Sequence, residues 1–389
     1  MRFCKRCVEP DTRPDCAFDE EGVCVACRHR ERMATVDWGA RHKELQAIAD
    51  WARATTKSQY HCMVPISGGK DSHRQALWVR DELGLKPLLV TCAYPPQQQT
   101  ERGAANLANM VELGFDTYVI SPAPKTWKEM YRIGFIRHGN LFRSSELALY
   151  ACAPRVAVAY NIPLLVYGEN PTLSWGAGAG GSLTGEASMI RNSDTIRGGM
   201  KEWLDAGIPE DKLYWYEYPP QADIERANIR MIYLGYFIEG TSGFDDFTNA
   251  RTAIAAGLTT RHGLDAKPEE IGSILDFEVL DEDFVIVNQM LKYLKFGFGK
   301  VTENASGAIR NGMLTRERAV ELVRMYDGRC ANRYIERLCD YLEITGDEFW
   351  QIAERHRNPK IWERGADGTW QTRFAVYKDQ EAPATRAAE

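Results

Sequence analysis

No stretch of this 389-residue chain approaches the roughly 18 consecutive apolar residues needed to span a bilayer, and the opening MRFCKRCVEP lacks the apolar core of a signal peptide. Neither membrane insertion nor export is expected, so the expected compartment is the cytoplasm. Blocks of basic charge are missing as well: 48 Lys and Arg face 54 Asp and Glu, a formal net charge of -6, with the two signs interspersed. That pattern argues against a surface that coats nucleic acid. There is no internal repeat. No Ser-His-Asp order and no HExxH string occurs, so hydrolase chemistry has no support. What remains is a globular composition, 44% hydrophobic over a length that exceeds the usual single domain. It predicts one large domain with appendages, or two domains.

The ten cysteines divide unequally. Cys4 and Cys7 form one CxxC and Cys24 and Cys27 a second, with sixteen residues, 8–23, between the pairs. Two such knuckles close a tetrahedral four-thiolate shell around zinc and leave no open coordination position, so a metal held here is structural. A pair of disulfides is the alternative, disfavoured in a reducing cytoplasm. Pro10, Pro14 and Gly22 are turn residues that suit a small ribbon too short to fold without a metal. The other six, Cys16, Cys62, Cys92, Cys152, Cys330 and Cys339, are scattered singly and read as small buried hydrophobes. None stands in a glycine-flanked nucleophile turn.

From Asp37 to Arg53, the residues Leu45, Ile48 and Ala52 recur at helical spacing. Strand and helix then alternate. HCMVPI (His61 to Ile66) reads as a strand, RQALWVRDEL as a helix stopping at Gly84, PLLVTC (Pro87 to Cys92) as a strand, and ERGAANLANMVELG as a helix. DTYVIS is a strand, SELALYACAPRVAVAY a helix interrupted near Pro154, PLLVYG a strand, and Met231 to Glu239 a fifth strand. This alternation predicts an α/β fold with a doubly wound, mostly parallel sheet covered by helices on both faces. Beyond Lys267, stretches such as RERAVELVRMYDG and NRYIERLCDYLEI predict a helical C-terminal part. The expected division is a zinc ribbon at 1–33, the α/β domain at 34–266, a helical region at 267–378 and a disordered tail at 379–389.

Between the first strand and its helix lies ISGGKDSH, residues 66–73. Doubly wound folds bind anionic ligands at the carboxyl ends of their strands. Gly68 and Gly69 allow close backbone approach, the first N–H groups of the helix point at the ligand, and Ser67, Lys70 and Ser72 add donors. This is not a Walker A loop, because Val64 stands at the first glycine position and Asp71 follows Lys70 where Ser or Thr is required; nor is it GxGxxG. A Gly-Gly turn kept for packing is the plainer alternative. SGGKDS resembles the loop of the PP-loop ATP pyrophosphatases, the fold shared by the amidotransferase domain of GMP synthetase, argininosuccinate synthetase and tRNA thiolation enzymes. The resemblance implies ATP cleaved between its α and β phosphates and AMP passed to a substrate oxygen. It also implies pyrophosphate held by Ser67, Gly68, Gly69, Lys70 and Ser72, with Asp71 helping to hold magnesium and Lys70 and Asp71 as the catalytic pair.

A four-cysteine ribbon ahead of this loop occurs in one group of tRNA thiolases and in the N-acetyl sugar amidotransferases of bacterial surface-polysaccharide synthesis. The thiolases carry a CxxC on the helix after the third strand, where YACAPRVA offers only Cys152. VYGENPT after the fourth strand and KYLKFGFGK near the C-terminus are similar to the sugar enzymes, and the resemblance runs from Cys4 to about Asp327. It implies adenylylation of the N-acetyl oxygen of a sugar, nucleotide-linked or a nonulosonic acid, followed by ammonia substitution to an acetamidino group in lipopolysaccharide O-antigen synthesis. Ammonia is then expected from a separate glutamine amidotransferase, similar to the glutaminase and cyclase pair of histidine biosynthesis. No nucleic acid or membrane partner is expected, and a homodimer is left open. A tRNA sulfurtransferase is the alternative. One departure is VTENAS, where Glu303 and Asn304 occupy positions expected to hold Asp and His.

Other residues carry two readings each. Glu169 and Asn170, after the fourth strand, either touch substrate or magnesium or form a helix-capping turn. SWGAGAGGSLTGE (174–186) is a lid over the substrate or a plain linker. Lys295 and Lys300, flanking FGFG, either meet a diphosphate or carboxylate or are simply solvated. His138, with Arg137 and Arg143, either binds an anionic sugar or belongs to an ordinary surface loop.

Overall fold

The computed structural model describes residues 1–175, 181–193 and 196–377. The tail expected to be disordered, 379–389, lies outside these residues, as does 176–180 of the glycine-rich segment.

Short apolar runs build the sheet: β1 (Cys62–Pro65), β2 (Pro87–Cys92), β3 (Thr117–Ile120), β4 (Leu164–Tyr167) and β5 (Arg230–Tyr233). All pair in parallel, in the order β3-β2-β1-β4-β5. Every residue of β2 and β4 is buried, as a parallel sheet covered on both faces requires. The chain winds outward from β1 through β2 to β3 and then returns to place β4 on the other side of β1. A crevice therefore opens at the carboxyl ends of β1 and β4, the switch point where such folds bind ligands.

Around the sheet run α1 (Val25–Arg32), α2 (Trp38–Thr55), α3 (Lys70–Asp81), α4 (Glu101–Glu112), α5 (Pro124–His138), α6 (Arg143–Tyr160) and α7 (Pro171–Trp175). After them come α8 (Lys201–Leu204), α9 (Gln221–Arg226), α10 (Leu234–Ser242), α11 (Asp246–Ala255) and α12 (Pro268–Ile271). The C-terminal part is helical, as expected: α13 (Phe284–Phe296), α14 (Lys300–Arg310), α15 (Arg316–Tyr326), α16 (Asn332–Leu342) and α17 (Gly346–Arg355). A hairpin of β6 (Trp362–Arg364) and β7 (Trp370–Thr372) follows. No helix among the described residues is long and apolar enough to cross a membrane.

Three local expectations are corrected. Pro154 does not interrupt α6, which runs unbroken through it. Proline removes one N–H and crowds the preceding turn, but both flanks of this helix are buried in the core, and that packing outweighs the local penalty. The run from Met231 to Glu239 is not one strand, because β5 stops at Tyr233 and α10 starts at Leu234. Periodicity cannot separate a buried strand from a buried helix over so short an apolar run. The break is fixed by Gly235, whose N–H donates to the Gly168 carbonyl at 3.0 Å across a gap that a side chain would crowd against Phe244. Finally, His138 is in the last turn of α5, a helix not anticipated, rather than in a surface loop.

One face of the sheet is filled from α2, α3 and α10, with Leu45, Ile48, Val79 and Phe237 fully buried. The opposite face is filled from α5, α6, α13, α16 and α17 as one continuous core. Phe135 of α5 stacks on Phe349 of α17 with ring centres 5.3 Å apart and planes at 22°. On α4, Gly103 permits a close approach: a Cβ there would sit 2.4 Å from the Asp281 carbonyl oxygen, so the segment leading into α13 is pressed against the sheet layer. The C-terminal helices therefore share the core of the α/β layer. Phe349→Ala is expected to cost about 3–5 kcal/mol, the usual loss for a buried Phe, in a single unfolding transition followed by circular dichroism. A separate early transition confined to part of the helical signal would show that α13–α17 fold on their own.

Candidate active site

The first 33 residues form a wall of the crevice. The Cys4 to Cys7 turn is closed by the Cys4 N–H donating to the Glu9 carbonyl at 2.8 Å, beside an antiparallel bridge from Phe3 to Pro10. The second pair does not form a knuckle like the first: Cys24 is the N-cap of α1 and Cys27 lies in its first turn. All four Sγ atoms lie within 4.8 Å of one another. Cys4 and Cys27 are 4.0 Å apart and Cys7 and Cys24 3.8 Å. A tetrahedron with zinc–sulfur bonds of about 2.3 Å has edges of roughly 3.8 Å, whereas a disulfide needs about 2.05 Å. All four cysteines are buried, and the N–H groups of Arg6 and Cys24 point at Cys4 Sγ from 3.4 and 3.3 Å. The donor set fits zinc with every position taken by protein.

At the carboxyl end of β1 the chain turns through Gly68, whose φ of +88° favours glycine. Ser67 donates its N–H to Ser72 Oγ at 2.9 Å, which folds the loop onto the first turn of α3. The N-cap of α3 is Gly69, which supplies no side-chain cap, so the first-turn N–H groups are left for a ligand. His73 anchors the turn between the Gly69 carbonyl and the Asn109 amide, each at 3.0 Å.

Two cavities meet at this loop. One, of about 340 Å³, lies over the carboxyl ends of β1, β2 and β4 and is lined by Ser67, Ser72, Val90, Cys92 and Tyr167. The other, of about 490 Å³, is lined by Lys70, Asp246, Glu278, Lys300, Glu303 and, from α1, His29 and Arg30. Asp71, Glu146, Tyr150 and Glu169 line both.

The larger cavity has two poles. At one, Lys70 Nζ lies 2.8 Å from Asp71, 3.1 Å from Asp246 and 3.0 Å from Glu278. Burial alone would lower the Lys70 pKa, but the three carboxylates outweigh it and hold the ammonium well above its usual range. At the other pole, Glu303 receives Arg13 and Lys292, each at 2.8 Å, with Lys300 at 3.8 Å. Glu278 joins the poles, because its second oxygen is 2.6 Å from Lys300. Burial would raise the Glu278 carboxyl, yet Lys300 and Lys70 together hold it down to about 2. Burial and the neighbouring Asp71 push Glu169 up to about 7. Asn249, 1% exposed, donates to Asp71 at 2.8 Å, and its Oδ1 has no partner among the described residues.

Of the residues singled out in the sequence, Lys70, Asp71, Glu169, Lys300, Glu303 and Asn304 come together on the larger cavity, and Ser67 and Ser72 on the smaller. Asn170 instead ties down the returning glycine-rich segment, its amide donating to the Ser182 and Thr184 carbonyls at 2.8 and 3.0 Å. His138, Arg143 and Lys295 line neither cavity. They gather around Glu202, with Arg143 at 2.9 Å and His138 at 3.4 Å, while Lys295 donates to the His138 carbonyl at 2.7 Å. Sequence reading missed Arg13, Glu146, Asp246, Asn249 and Glu278. Two signals were available: GFDDFTN, an acid doublet after a glycine at a helix start, and the acid-rich DFEVLDED.

Residues 271–376 match the family model described as LPS biosynthesis protein WbpG-like, C-terminal domain. The matched segment supplies Glu278, Lys300, Glu303 and Asn304 to the cavity. No curated protein matches the chain. Among solved structures, the NMN synthetase from Francisella tularensis is 14% identical with a TM-score of 0.28, over 58% of this chain and 88% of that one. The NH3-dependent NAD synthetase from Campylobacter jejuni is 12% identical with a TM-score of 0.28, over 53% and 95%. A predicted subunit of tRNA methyltransferase from Methanocaldococcus jannaschii is 18% identical with a TM-score of 0.26, over 50% and 73%. Overlaps this loose leave the fold to be read from the strand order itself.

Two expectations follow. The isolated chain should carry about one zinc and no iron by elemental analysis, as a closed four-sulfur shell demands; iron with acid-labile sulfide would contradict it. Glu278, whose carboxyl is depressed in the fold, stabilises the protein above the ordinary carboxylate range, and that contribution fades as pH falls through about 2. Glu278→Gln should therefore be less stable than wild type at neutral pH, by on the order of 3 kcal/mol. The gap should narrow as pH falls below about 4 and close only near pH 2, as read by urea denaturation across pH; a gap independent of pH would remove the ion pairs as its cause.

Proposed function

We propose that the chain is an ATP-dependent amidotransferase that converts the N-acetyl group of a sugar to an acetamidino group in bacterial surface-polysaccharide synthesis. The observation that carries this reading is the junction of the two cavities at residues 66–72, where a nucleotide in one would bring its α phosphate beside a substrate in the other. The nucleoside occupies the smaller, less polar cavity. The polyphosphate lies on the Gly68 turn and the first N–H groups of α3, opposite Lys70. The match of residues 271–376 to a lipopolysaccharide-biosynthesis family model supports a sugar in the larger cavity.

The N-acetyl oxygen attacks the α phosphorus, the bond to the bridging oxygen breaks, and pyrophosphate leaves. Ammonia then adds to the imidate carbon and expels AMP, which carries away the acetyl oxygen. Lys70 and the helix N–H groups neutralise charge on the departing pyrophosphate, and fixed donors of this kind are most effective in a site already ordered before reaction. Asp71 and Asp246 offer carboxylates for magnesium, which would neutralise the polyphosphate and orient it. Glu169, balanced near neutrality, is placed where the two cavities meet to take the proton that ammonia gives up. A separate glutaminase partner supplies that ammonia in the cell.

The sulfurtransferase alternative has less support. Cys92 and Cys152 are the cysteines that line the smaller cavity, and contact with Cys152 followed by burial pushes the Cys92 thiol well up, away from the thiolate that sulfur transfer needs.

With ATP, an ammonium salt and a panel of UDP-linked N-acetyl sugars, the purified chain should form AMP and pyrophosphate in step with a product in which one oxygen is replaced by NH. Mass spectrometry and phosphorus NMR read both. Primary release of ADP and inorganic phosphate would overturn the assignment. Lys70→Ala and Asp71→Asn should each lower turnover by at least about 100-fold with circular dichroism unchanged. Glutamine should not replace ammonium until a glutaminase partner is added.

A further inference from the structure

The three carboxylates around Lys70 are not equivalent. Asp71 and Asp246 have side chains 34% and 36% exposed, open enough to face solvent or a metal. Glu278 is 8% exposed and pinned at its far oxygen by Lys300, itself 18% exposed. Lys300 is held in turn: it is the first residue of α14, whose start is fixed by Asp327 accepting from the Gly299 and Thr302 N–H groups at 2.8 and 3.1 Å. A line of alternating charge thus runs from Lys70 through Glu278, Lys300 and Glu303 to Arg13 of the cysteine module.

An anion arriving at the loop must compete with Glu278 for the Lys70 ammonium. Once Lys70 turns to a phosphate, Glu278 is a buried carboxylate whose other partner is Lys300, and a buried charge without a partner is costly. We propose that Glu278 and Lys300 form a positioning pair for Lys70. Glu278 orients the ammonium before the polyphosphate arrives and keeps one of its N–H groups during turnover, while Lys300 neutralises Glu278 as Lys70 shares its charge with the phosphates. This rests on the reading that the loop holds the polyphosphate of ATP, and it extends that reading to residues outside the loop.

The signs of the expected effects distinguish this role from a merely structural one. Removing Lys300 leaves Glu278 with Lys70 alone, so that Glu278 grips the ammonium and repels the incoming anion. Lys300→Met should therefore weaken binding of Mg-α,β-methylene-ATP by about tenfold or more, a change of about 1.4 kcal/mol. Glu278→Gln removes the competitor, so affinity should hold or improve while kcat falls, because Lys70 is no longer held in place. The double variant should bind within about threefold of wild type, the non-additivity expected of directly coupled residues. Lys300→Arg should keep wild-type affinity.

Isothermal titration calorimetry with Mg-α,β-methylene-ATP, together with kcat and KM for ATP, reads all of these on the full-length chain. If Lys300→Met does not fold, the isosteric Glu278→Gln carries the test alone through its split between KM and kcat. Wild-type affinity in Lys300→Met, or an unchanged kcat in Glu278→Gln, would overturn the pair while leaving ATP binding intact. Failure of the wild-type chain to bind the analogue at all would instead remove the underlying reading, and the pair with it.

Discussion

A buried ammonium ringed by three carboxylates is the constraint around which the cleft is organised. Burial alone would lower the Lys70 pKa, and Asp71, Glu278 and Asp246 together keep its ammonium charged at this depth. The three carboxylates come from different elements: the start of α3, which also carries Lys70, the start of α11 and the segment before α13. Satisfying one charge therefore fixes three parts of the chain relative to one another. The interaction is local, but its consequence is the shape of the whole cleft.

The two appended regions take their meaning from this. The cysteine module contributes Arg13, His29 and Arg30 to the larger cavity, and the C-terminal segment contributes Glu278, Lys300 and Glu303. Arg13 links them through Glu303, so the closed four-cysteine site braces the far pole of the cleft. A metal held there would stabilise the wall without an open position for chemistry. The α/β layer alone would present the loop and the smaller cavity, and it would lack most of the opposing wall.

Much of the fold was legible in the sequence. The alternation of short apolar runs with helical spacing, and the Gly-Gly loop after the first strand, placed β1, β2, β3 and β4 and the switch point that follows from their order. The failures share a cause. Met231 to Glu239 was read as one strand because strand and buried helix look alike in a short apolar run, and Gly235, which decides the matter, acts through a contact with Gly168 far away in sequence. Pro154 was read as a break because the packing that overrides it is tertiary. In the site, the motif identified the residues that neighbour one another in sequence. Asp246, Asn249 and Glu278 meet Lys70 and Asp71 only through the fold, and a lone acid carries no local mark of such a meeting. Lys295 and Lys300 flank the same FGFG yet part company, since one reaches the His138 carbonyl and the other Glu278.

The central claim is that the junction of the two cavities brings a substrate oxygen onto the α phosphorus of ATP. The most direct test is the fate of that oxygen. With an N-acetyl sugar labelled with ¹⁸O in the acetyl group, turnover in ordinary water with ammonium should deliver the label to the phosphate of AMP, as seen by its isotope shift in phosphorus NMR and by mass spectrometry. Label found in inorganic phosphate or pyrophosphate, or retained in the sugar product while AMP stays unlabelled, would contradict the account.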